Sequence, residues 1–235
     1  MHVIPIYTLF KHHALNGLVA KSPWPGEQAE RSQADLQREA RAHRQIQEGL
    51  TENDYTRRFI RLISCDPSDS TLTMEYAKMG TLRNYLQAHA EQIDQSRRYS
   101  WILAMAEGLA MLHAQSIIHC DFTPNNMLLD DRLELKITDF GCCSIDGSRP
   151  TGAASIRFDP CNGDWRTLAT QVEDLFALGS SIFEVLTGKR PLEDIPSESQ
   201  IRFRRSHWTR DGAFSSGGLP TDSYGGVTLP EWKNA

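Results

Sequence analysis

The chain has 235 residues, a net charge of −5 at pH 7 and 40% hydrophobic residues. This length allows one large domain or two lobes. The acidic balance provides no basic surface for nucleic acid, and no apolar run approaches the roughly 20 residues of a membrane span. The N-terminus does not have the pattern of a secretory signal, and five scattered cysteines predict no disulfide framework. We therefore expect a cytoplasmic or nuclear protein that binds neither nucleic acid nor membrane.

The first 50 residues predict strands followed by a long helix. Residues 3–10 are apolar and rich in strand formers, and Asn16-Gly17 is a strong hairpin signal before the short apolar strand 18–21. Residues 23–26 then break the chain with two prolines and a glycine. Residues 27–47 carry a thin apolar stripe among many charges, which predicts a helix that is mostly solvated.

The next part of the chain alternates strand and helix patterns. Strands are predicted over residues 59–63 and 71–76, joined by a turn over residues 65–70. Thr81 has the side chain of an N-cap for a short helix that extends to about residue 89. Residues 96–115 repeat apolar side chains at helical spacing, which predicts a longer helix with one buried stripe (Trp101, Ile102, Met105, Leu109, Leu112).

Residues 116–146 have the pattern of a loop, a hairpin and a second loop. Residues 127–129 form a short apolar strand, and residues 133–137 alternate apolar and polar side chains as a half-buried strand does. The hairpin brings three acceptor side chains to one region (Asp121, Asn126, Asp139). Their oxygens suit a Mg²⁺ ion and proton removal from an attacking hydroxyl, which are two requirements of phosphoryl transfer.

This hairpin resembles the catalytic core of the eukaryotic protein kinase family. The family motif H-R-D-x-x-x-x-N is matched by His119, Asp121 and Asn126, and D-F-G is matched by residues 139–141. Either motif alone is weak, but both in order and 18 positions apart form a strong signal. The competing interpretation is that these side chains only cap a hairpin, since Asp and Asn favour turns.

The resemblance extends to the N-terminal half of the chain. V-A-K at residues 19–21 is similar to the family's third strand, which implies that Lys21 holds the α- and β-phosphates of ATP. Glu39 follows 18 positions later, close to the family spacing for the glutamate that pairs with this lysine. The alternative for both residues is an ordinary exposed surface charge.

The segment M-E-Y-A at residues 74–77 is similar to the family's hinge, whose backbone hydrogen-bonds adenine. The resemblance makes Glu75, Tyr76 and Ala77 the hinge candidates. It would put Met74 at the back of the nucleotide pocket. Leu128 is assigned to nucleotide binding in the same way. The alternative is a strand that simply passes into a helix.

The C-terminal half continues the resemblance with a loop and a helix. Residues 142–167 resemble a short activation segment, which ends in Asp159-Pro160-Cys161 where the family has A-P-E. Residues 171–188 resemble the family's central helix and are apolar nearly all round, so we expect this helix to be buried. The family's following helices have no counterpart after Pro191, so we also expect one apolar face of this helix to stay uncovered. The resemblance implies that Asp174, at its start, hydrogen-bonds the backbone of the catalytic loop.

Several departures from the family pattern bear on activity. Cys120 replaces the arginine that would pair with a phosphorylated activation segment, and Thr123 replaces a lysine that neutralises the transferring phosphate. No G-x-G-x-x-G loop precedes Lys21, and residues after Pro191 have no helical periodicity. Cys142-Cys143 beside Asp139 leaves a metal or redox role open, against the simpler interpretation of small residues next to a tight loop.

The resemblance implies a two-lobed α+β kinase-like fold. The predicted divisions are an N-lobe over residues 1–78 with a small antiparallel sheet and one helix, a mainly helical C-lobe over 79–191, and a disordered tail over 192–235. The expected function is an ATP- and Mg²⁺-dependent protein kinase of Ser/Thr type that acts on a protein substrate, with Asp121 as base and Asn126 and Asp139 as Mg²⁺ ligands. The motif sequence looks like the divergent kinase-like domains of filamentous fungi. The alternatives are a pseudokinase or truncated kinase that acts as a binding module, or a gene model that is incomplete at both ends.

Overall fold

The computed structural model of the protein describes residues 17–68, 70–160 and 168–195. The elements, in chain order, are β1 (Leu18–Lys21), a 3-10 turn (Gly26–Gln28), α1 (Ala29–Gly49), α2 (Glu52–Arg58), β2 (Leu62–Asp66), β3 (Thr71–Glu75), β4 (Gly80–Thr81), α3 (Leu82–His89), α4 (Gln95–Ala114), β5 (Ile117–Ile118), a second 3-10 turn (Pro124–Asn126), β6 (Met127–Leu129), β7 (Leu135–Ile137), β8 (Ser144–Ile145) and α5 (Gln171–Thr187). The predicted strand over residues 3–10 and the part of the predicted tail from residue 196 onward lie outside the described residues.

The N-terminal sheet has β3 in the centre, with β1 and β2 on either side, and both pairings are antiparallel. Helix α1 packs on this sheet through Leu36 and Ala40, which are buried. They belong to a small apolar core together with side chains from the strands and from the segment after β3 (Val19, Ile60, Leu72, Met74, Ala77). The predicted antiparallel sheet with one long helix is confirmed.

The strand predicted over residues 59–63 lies three positions later, as β2 (Leu62–Asp66), and residues 59–61 connect it to α2. Helix α2 was not predicted; its N-cap residue Thr51 accepts a hydrogen bond from Asp54 N. Phe59 and Ile60 are buried between α2 and β2, and Ile60 N donates to Ile137 O over 3.0 Å. A short apolar run is buried equally well in a strand or in a core connection, so periodicity alone does not distinguish the two. The hairpin turn also begins later than predicted, because β2 extends to Asp66.

A second small sheet carries the hairpin predicted over residues 127–137. Strands β6 and β7 pair antiparallel, and β4 adds to the free side of β6. Strand β7 is shorter than the predicted 133–137 because Leu133 has a φ of +62° and belongs to the turn. Asp130 stabilises that turn by accepting hydrogen bonds from Arg132 N and Glu134 N, each over 2.9 Å.

Helix α4 packs beneath this hairpin and forms the centre of the larger core. Its predicted stripe is buried at Trp101, Met105, Leu109 and Leu112, with Ile102 half-buried. Trp101 Nε1 donates to the Leu133 carbonyl over 2.8 Å, which fixes the turn on the helix. Gly108 allows a close approach, since a Cβ there would lie 2.2 Å from Ile137 Cδ1. The strand that leads to Asp139 is therefore held directly on α4.

Helix α5 begins at a capping box formed by Thr170 and Glu173, in which Thr170 N donates to the Glu173 carboxylate. The helix ends at Gly188, which has a φ of +71°. As predicted, this helix is buried on one side and keeps an uncovered apolar face on the other. Asp174, Ala177 and the other inward residues are buried, whereas five apolar side chains are exposed (Val172, Leu175, Phe176, Phe183, Leu186). The helix packs against α4 on its buried side.

The architecture is α+β, with an antiparallel sheet lobe followed by a mainly helical lobe, as predicted. Among the described residues, no helix is both long enough and apolar enough to cross a membrane. Two strand pairings that the sequence did not predict, β4 with β6 and β5 with β8, close the loops that surround the β6–β7 hairpin.

Candidate active site

A buried lysine joins two carboxylates that are far apart in the sequence. Lys21 Nζ donates to Glu39 Oε2 over 2.7 Å and to Asp139 Oδ1 over 2.8 Å. Burial works against the charge of Lys21, but Asp139 and Glu39 outweigh it and hold the lysine pKa above its usual range. Burial also works against the charge of Asp139, and Lys21 outweighs it, so the pKa of Asp139 is lowered. Both groups are therefore ionised at neutral pH.

Secondary structure explains why these two charges point inward. Strand β1 alternates half-buried and buried residues, so Val19 and Lys21 share the inner face. On α1, Glu39 is next to the buried Ala40 and is itself 0% exposed. Lys21 is 3% exposed. The alternative interpretation, that Lys21 and Glu39 are ordinary surface charges, is therefore excluded.

The catalytic loop holds Asp121 and Asn126 against each other. Asn126 Nδ2 donates to the Asp121 carbonyl and to Asp121 Oδ2, each over 2.8 Å. The loop is closed by Thr123 N, which donates to Asp121 O, and by Asn126 N, which donates to Thr123 O. Burial and the nearby Asp139 raise the pKa of Asp121 to about 7, although the hydrogen bond from Asn126 opposes this shift. A carboxyl with this pKa is well suited to exchange a proton near neutral pH.

Asp174 at the start of α5 supports the same loop from below. Its carboxylate accepts from His119 N over 2.8 Å and from Cys120 N over 2.9 Å, which are the predicted hydrogen bonds. His113 Nε2 lies 2.9 Å from Asp174 Oδ2. Cys120 has a φ of +66°, and so does Asp139. Such strained backbone persists only where its surroundings fix it, and these contacts fix the loop beside Asp121.

Phe140 connects the D-F-G segment to both lobes through ring contacts. Its ring centre lies 5.2 Å from that of His119 and 5.0 Å from that of His43 on α1, with the latter rings perpendicular. Burial lowers the pKa of His43 to about 3, so this ring is neutral, and its Nδ1 lies 3.1 Å from the Tyr55 hydroxyl. Sequence reasoning missed His43. Its position one helical turn after Glu39 was the available signal.

The hinge candidates lie where the two lobes meet. Ala77 and Met74 are buried in the N-terminal apolar core, and Leu128 packs half-buried against the same core. The Glu75 carboxylate accepts from Lys136 Nζ over 2.8 Å, so this side chain is occupied in an ion pair between the lobes. Tyr76 N, next to it, donates to Gly17 O over 2.9 Å. The hinge candidates are therefore fixed by the apolar core on one side and by the Glu75–Lys136 ion pair on the other.

The donor set of the site fits Mg²⁺ bound together with a nucleotide. Both amide protons of Asn126 are used by Asp121, which leaves its oxygen for a cation, and Asp139 is ionised. Within the described ranges, no group of three or more His, Cys, Asp or Glu side chains is arranged to hold a metal. Mg²⁺ takes one or two protein carboxylates and completes its shell with phosphates and water, so Asn126 and Asp139 are a sufficient protein contribution to such a site.

The cysteines near Asp139 have a structural role. Cys142 and Cys143 are buried, and burial raises both thiol pKa values, that of Cys143 to about 12. A buried thiol with a raised pKa is unreactive.

Thr123, two residues after Asp121, carries a buried hydroxyl. It is 2% exposed and its hydroxyl has no hydrogen-bond partner among the described residues.

An ion pair that the sequence did not predict links α3 to α5. Arg83 Nε and Nη2 donate to Glu184 Oε1 and Oε2 over 2.7 and 2.8 Å. Both side chains are largely buried, and the Arg83 guanidinium also lies 5.2 Å from the Phe158 ring centre. The partners are 101 positions apart, so only the packing of α3 on the rest of the lobe brings them together.

The chain is similar to known protein kinases over part of its length. The chain is 32% identical to a probable leucine-rich repeat receptor-like protein kinase of Arabidopsis thaliana over 165 residues, which cover 66% of this chain and 15% of that protein. It is 32% identical to the LRR receptor-like serine/threonine-protein kinase FEI 2 of the same plant (54% of this chain, 23% of that protein). Identity to Aurora kinase C of Mus musculus is also 32% (56% of this chain, 48% of that protein).

The matched residues span less than half of each of these relatives. The relatives come from a plant and from a mouse, so the resemblance to fungal domains in particular stays a prediction. The profile of the family described as "protein kinase domain" matches residues 9–211, which is most of the chain. The chain therefore belongs to the protein kinase domain family.

Proposed function

We propose that this chain is an ATP-dependent protein kinase that transfers the terminal phosphate to Ser or Thr hydroxyls of a protein substrate. The observation that carries the proposal is the placement of Lys21 between Glu39 and Asp139, next to the Asp121–Asn126 pair. A site that only caps a hairpin does not require a fully buried lysine and glutamate. The lobe division that we propose, between residues 78 and 79, follows the hinge directly.

The proposal assigns a role to each of these residues. The Lys21 ammonium, held by Glu39, binds the phosphates of the nucleotide. The Asp121 carboxylate accepts the proton of the attacking hydroxyl, and its pKa near 7 suits that exchange. Asn126 orients Asp121 and, with Asp139, would hold Mg²⁺. When bound, Mg²⁺ supplies neutralisation of the phosphate charge.

One observation favours the alternative function, a pseudokinase that binds nucleotide or a protein partner but transfers phosphate poorly. Thr123 lies two residues after Asp121 and is neutral, where the resemblance implies a lysine. A hydroxyl donates one hydrogen bond but provides no charge, so it stabilises a transferring phosphate less well than an ammonium group. Nucleotide binding without transfer would follow from this replacement.

The test is Mg²⁺-dependent ATP binding by calorimetry, together with transfer to a generic Ser/Thr substrate. We compare wild type with Asp139→Ala and with Asp131→Ala, a control carboxylate that is exposed in the turn between β6 and β7. We expect Asp139→Ala to abolish Mg²⁺-dependent binding and transfer, and Asp131→Ala to retain both. Binding without transfer in wild type would establish the pseudokinase alternative. A folded wild-type chain that binds no ATP would refute the kinase proposal and the nucleotide-binding form of the alternative, and would leave only a module that binds a protein partner.

A further inference from the structure

One stripe of α1 faces the segment that follows D-F-G. The residues on this stripe are three or four positions apart and therefore lie on one side of the helix. Each of them is hydrogen-bonded to a residue within 141–151 (Arg31, Asp35, Arg38, Arg41, Gln45). Because Glu39 and His43 belong to the same helix, the position of α1 against this segment also sets the position of Glu39 at Lys21.

Arg38 makes the densest contacts of this stripe. Its Nη1 donates to the Cys143 carbonyl over 3.0 Å, to the Arg149 carbonyl over 3.2 Å and to Ser148 Oγ over 3.3 Å. All three acceptors are neutral. The guanidinium therefore binds two parts of residues 141–151 at once, through backbone carbonyl oxygens and a hydroxyl oxygen. These contacts form without a phosphate group.

Asp35 holds the far end of the segment. Thr151 Oγ1 donates to Asp35 Oδ1 over 2.8 Å and lies 3.2 Å from the Gly141 carbonyl. Asp35 also packs beside D-F-G itself, since a Cβ on Gly141 would lie 3.5 Å from both Asp35 Cβ and Asp139 Oδ1. Arg31 Nη2 adds a bond to the Thr151 carbonyl over 3.2 Å. Asp35 thus connects α1, Thr151 and the segment that carries Asp139.

We propose that Asp35 and Arg38 are positioning residues that hold residues 141–151 on α1 and so keep Glu39 and Asp139 at Lys21 without a phosphate on this segment. The inference rests on the proposed function and adds its regulation. Phosphorylation of Thr151 would have the opposite effect from activation. It would replace the donated proton with a dianion directly against the Asp35 carboxylate, which repels it.

The test uses pairs of variants that differ in one hydrogen bond. Arg38→Met, Asp35→Ala and Thr151→Val remove these contacts, and Thr151→Glu adds a charge. Thr151→Ser keeps the donor, and Asp35→Asn keeps an oxygen that accepts from Thr151. Arg44→Met is the matched control because Arg44 is exposed on the same helix. We measure kcat, the KM for ATP, the calorimetric affinity for Mg²⁺-ATP, hydrogen exchange of residues 142–151, and wild-type activity after phosphatase treatment.

We expect the three contact-removing variants and Thr151→Glu to lower kcat/KM for ATP by roughly tenfold or more, since a small misplacement of reacting groups has large effects on rate. Hydrogen exchange in residues 142–151 should become faster in these variants. Arg44→Met, Asp35→Asn and Thr151→Ser should behave as wild type, and phosphatase treatment should change nothing.

Two results would overturn the inference: wild-type kinetics and exchange in Thr151→Val and Arg38→Met, or loss of wild-type activity on phosphatase treatment. If Arg38→Met fails to fold, the Thr151→Val and Thr151→Ser pair decides, since it changes one hydroxyl. If wild type transfers no phosphate, the proposed function fails. The inference is then judged by the affinity for Mg²⁺-ATP and by hydrogen exchange, which do not depend on transfer.

Discussion

Asn126 donates both protons of its side-chain amide to Asp121, one to the backbone carbonyl and one to carboxylate Oδ2. This geometry orients the proposed base and leaves the Asn126 oxygen for a cation. Burial and Asp139 raise the pKa of Asp121, and the hydrogen bond from Asn126 lowers it by less, so that this pKa is about 7. The pair therefore sets the direction of the base, whereas burial and Asp139 set the pH at which it works.

The first prediction is a pH dependence of kcat/KM for ATP, which reports ionisations of the free enzyme. A base must be deprotonated, so activity should rise with pH through the pKa of Asp121 at about 7. The ionised fraction of such a group increases about tenfold between pH 6 and pH 8. Steady-state rates measured across this range should increase by that factor.

The control for this pH profile is the affinity for Mg²⁺-ATP measured by calorimetry. It should change little from pH 6.5 to 8, because the pKa of Asp139 is lowered and that of Lys21 is raised. His119 does not account for the profile, since burial lowers its pKa. A flat kcat/KM between pH 6 and 8 would contradict the assignment of Asp121 as a base.

The second prediction concerns stability at the buried lysine. Lys21→Met leaves Glu39 and Asp139 without their cation and should lower the free energy of unfolding by about 3 kcal/mol. Burial then raises both carboxyl pKa values above those of the unfolded chain. Such groups destabilise the fold increasingly as pH rises, so the deficit should be larger at pH 8 than at pH 5.

Urea denaturation at the two pH values measures this effect. Lys78→Met is the matched control, because Lys78 pairs with Asp131 across an exposed contact of 3.5 Å. Exposed pairs contribute about 1 kcal/mol or less. Equal losses of stability in the two variants would show that burial of the Lys21 pair is unimportant.

The third prediction tests the unpartnered hydroxyl of Thr123. Thr123→Val keeps the shape of the side chain and removes a buried polar atom that has no partner among the described residues. Such a change is neutral or stabilising for the fold. If the hydroxyl donates to the transferring phosphate, kcat should fall by roughly 10²-fold while thermal stability is maintained. Unchanged kcat in a folded variant would mean that Thr123 does not take part in transfer.

The fourth prediction concerns the buried pair Arg83 and Glu184. Arg83→Met leaves a buried carboxylate unpaired and should cost about 3 kcal/mol of unfolding free energy. The double variant Arg83→Met/Glu184→Met should recover most of this loss, since a buried ion pair can be replaced by apolar side chains of similar volume. Chemical denaturation of the four proteins of this cycle measures the coupling. Additive losses would show that the two residues do not interact.

Local patterns predicted most of the elements that surround the site. The stripe of α4 and the alternation around β7 appear in the structure at nearly the predicted residues, because side-chain period and burial coincide there. Residues 59–61 were predicted as strand but form the connection between α2 and β2. An apolar side chain indicates what a segment can bury, but it does not show which neighbour is present to cover it.

The sequence by itself determined which chemical groups are available and their order: a lysine on a short strand, a glutamate on a helix, and Asp121, Asn126 and Asp139 around one hairpin. Only the tertiary structure decided their charge states and their partners. Lys21 and Asp139 are 118 positions apart, and their mutual stabilisation exists only after two lobes exclude water around them. The contacts of Arg38 with Cys143 and of Arg83 with Glu184 likewise depend on packing, since no local pattern relates residues so distant in the chain.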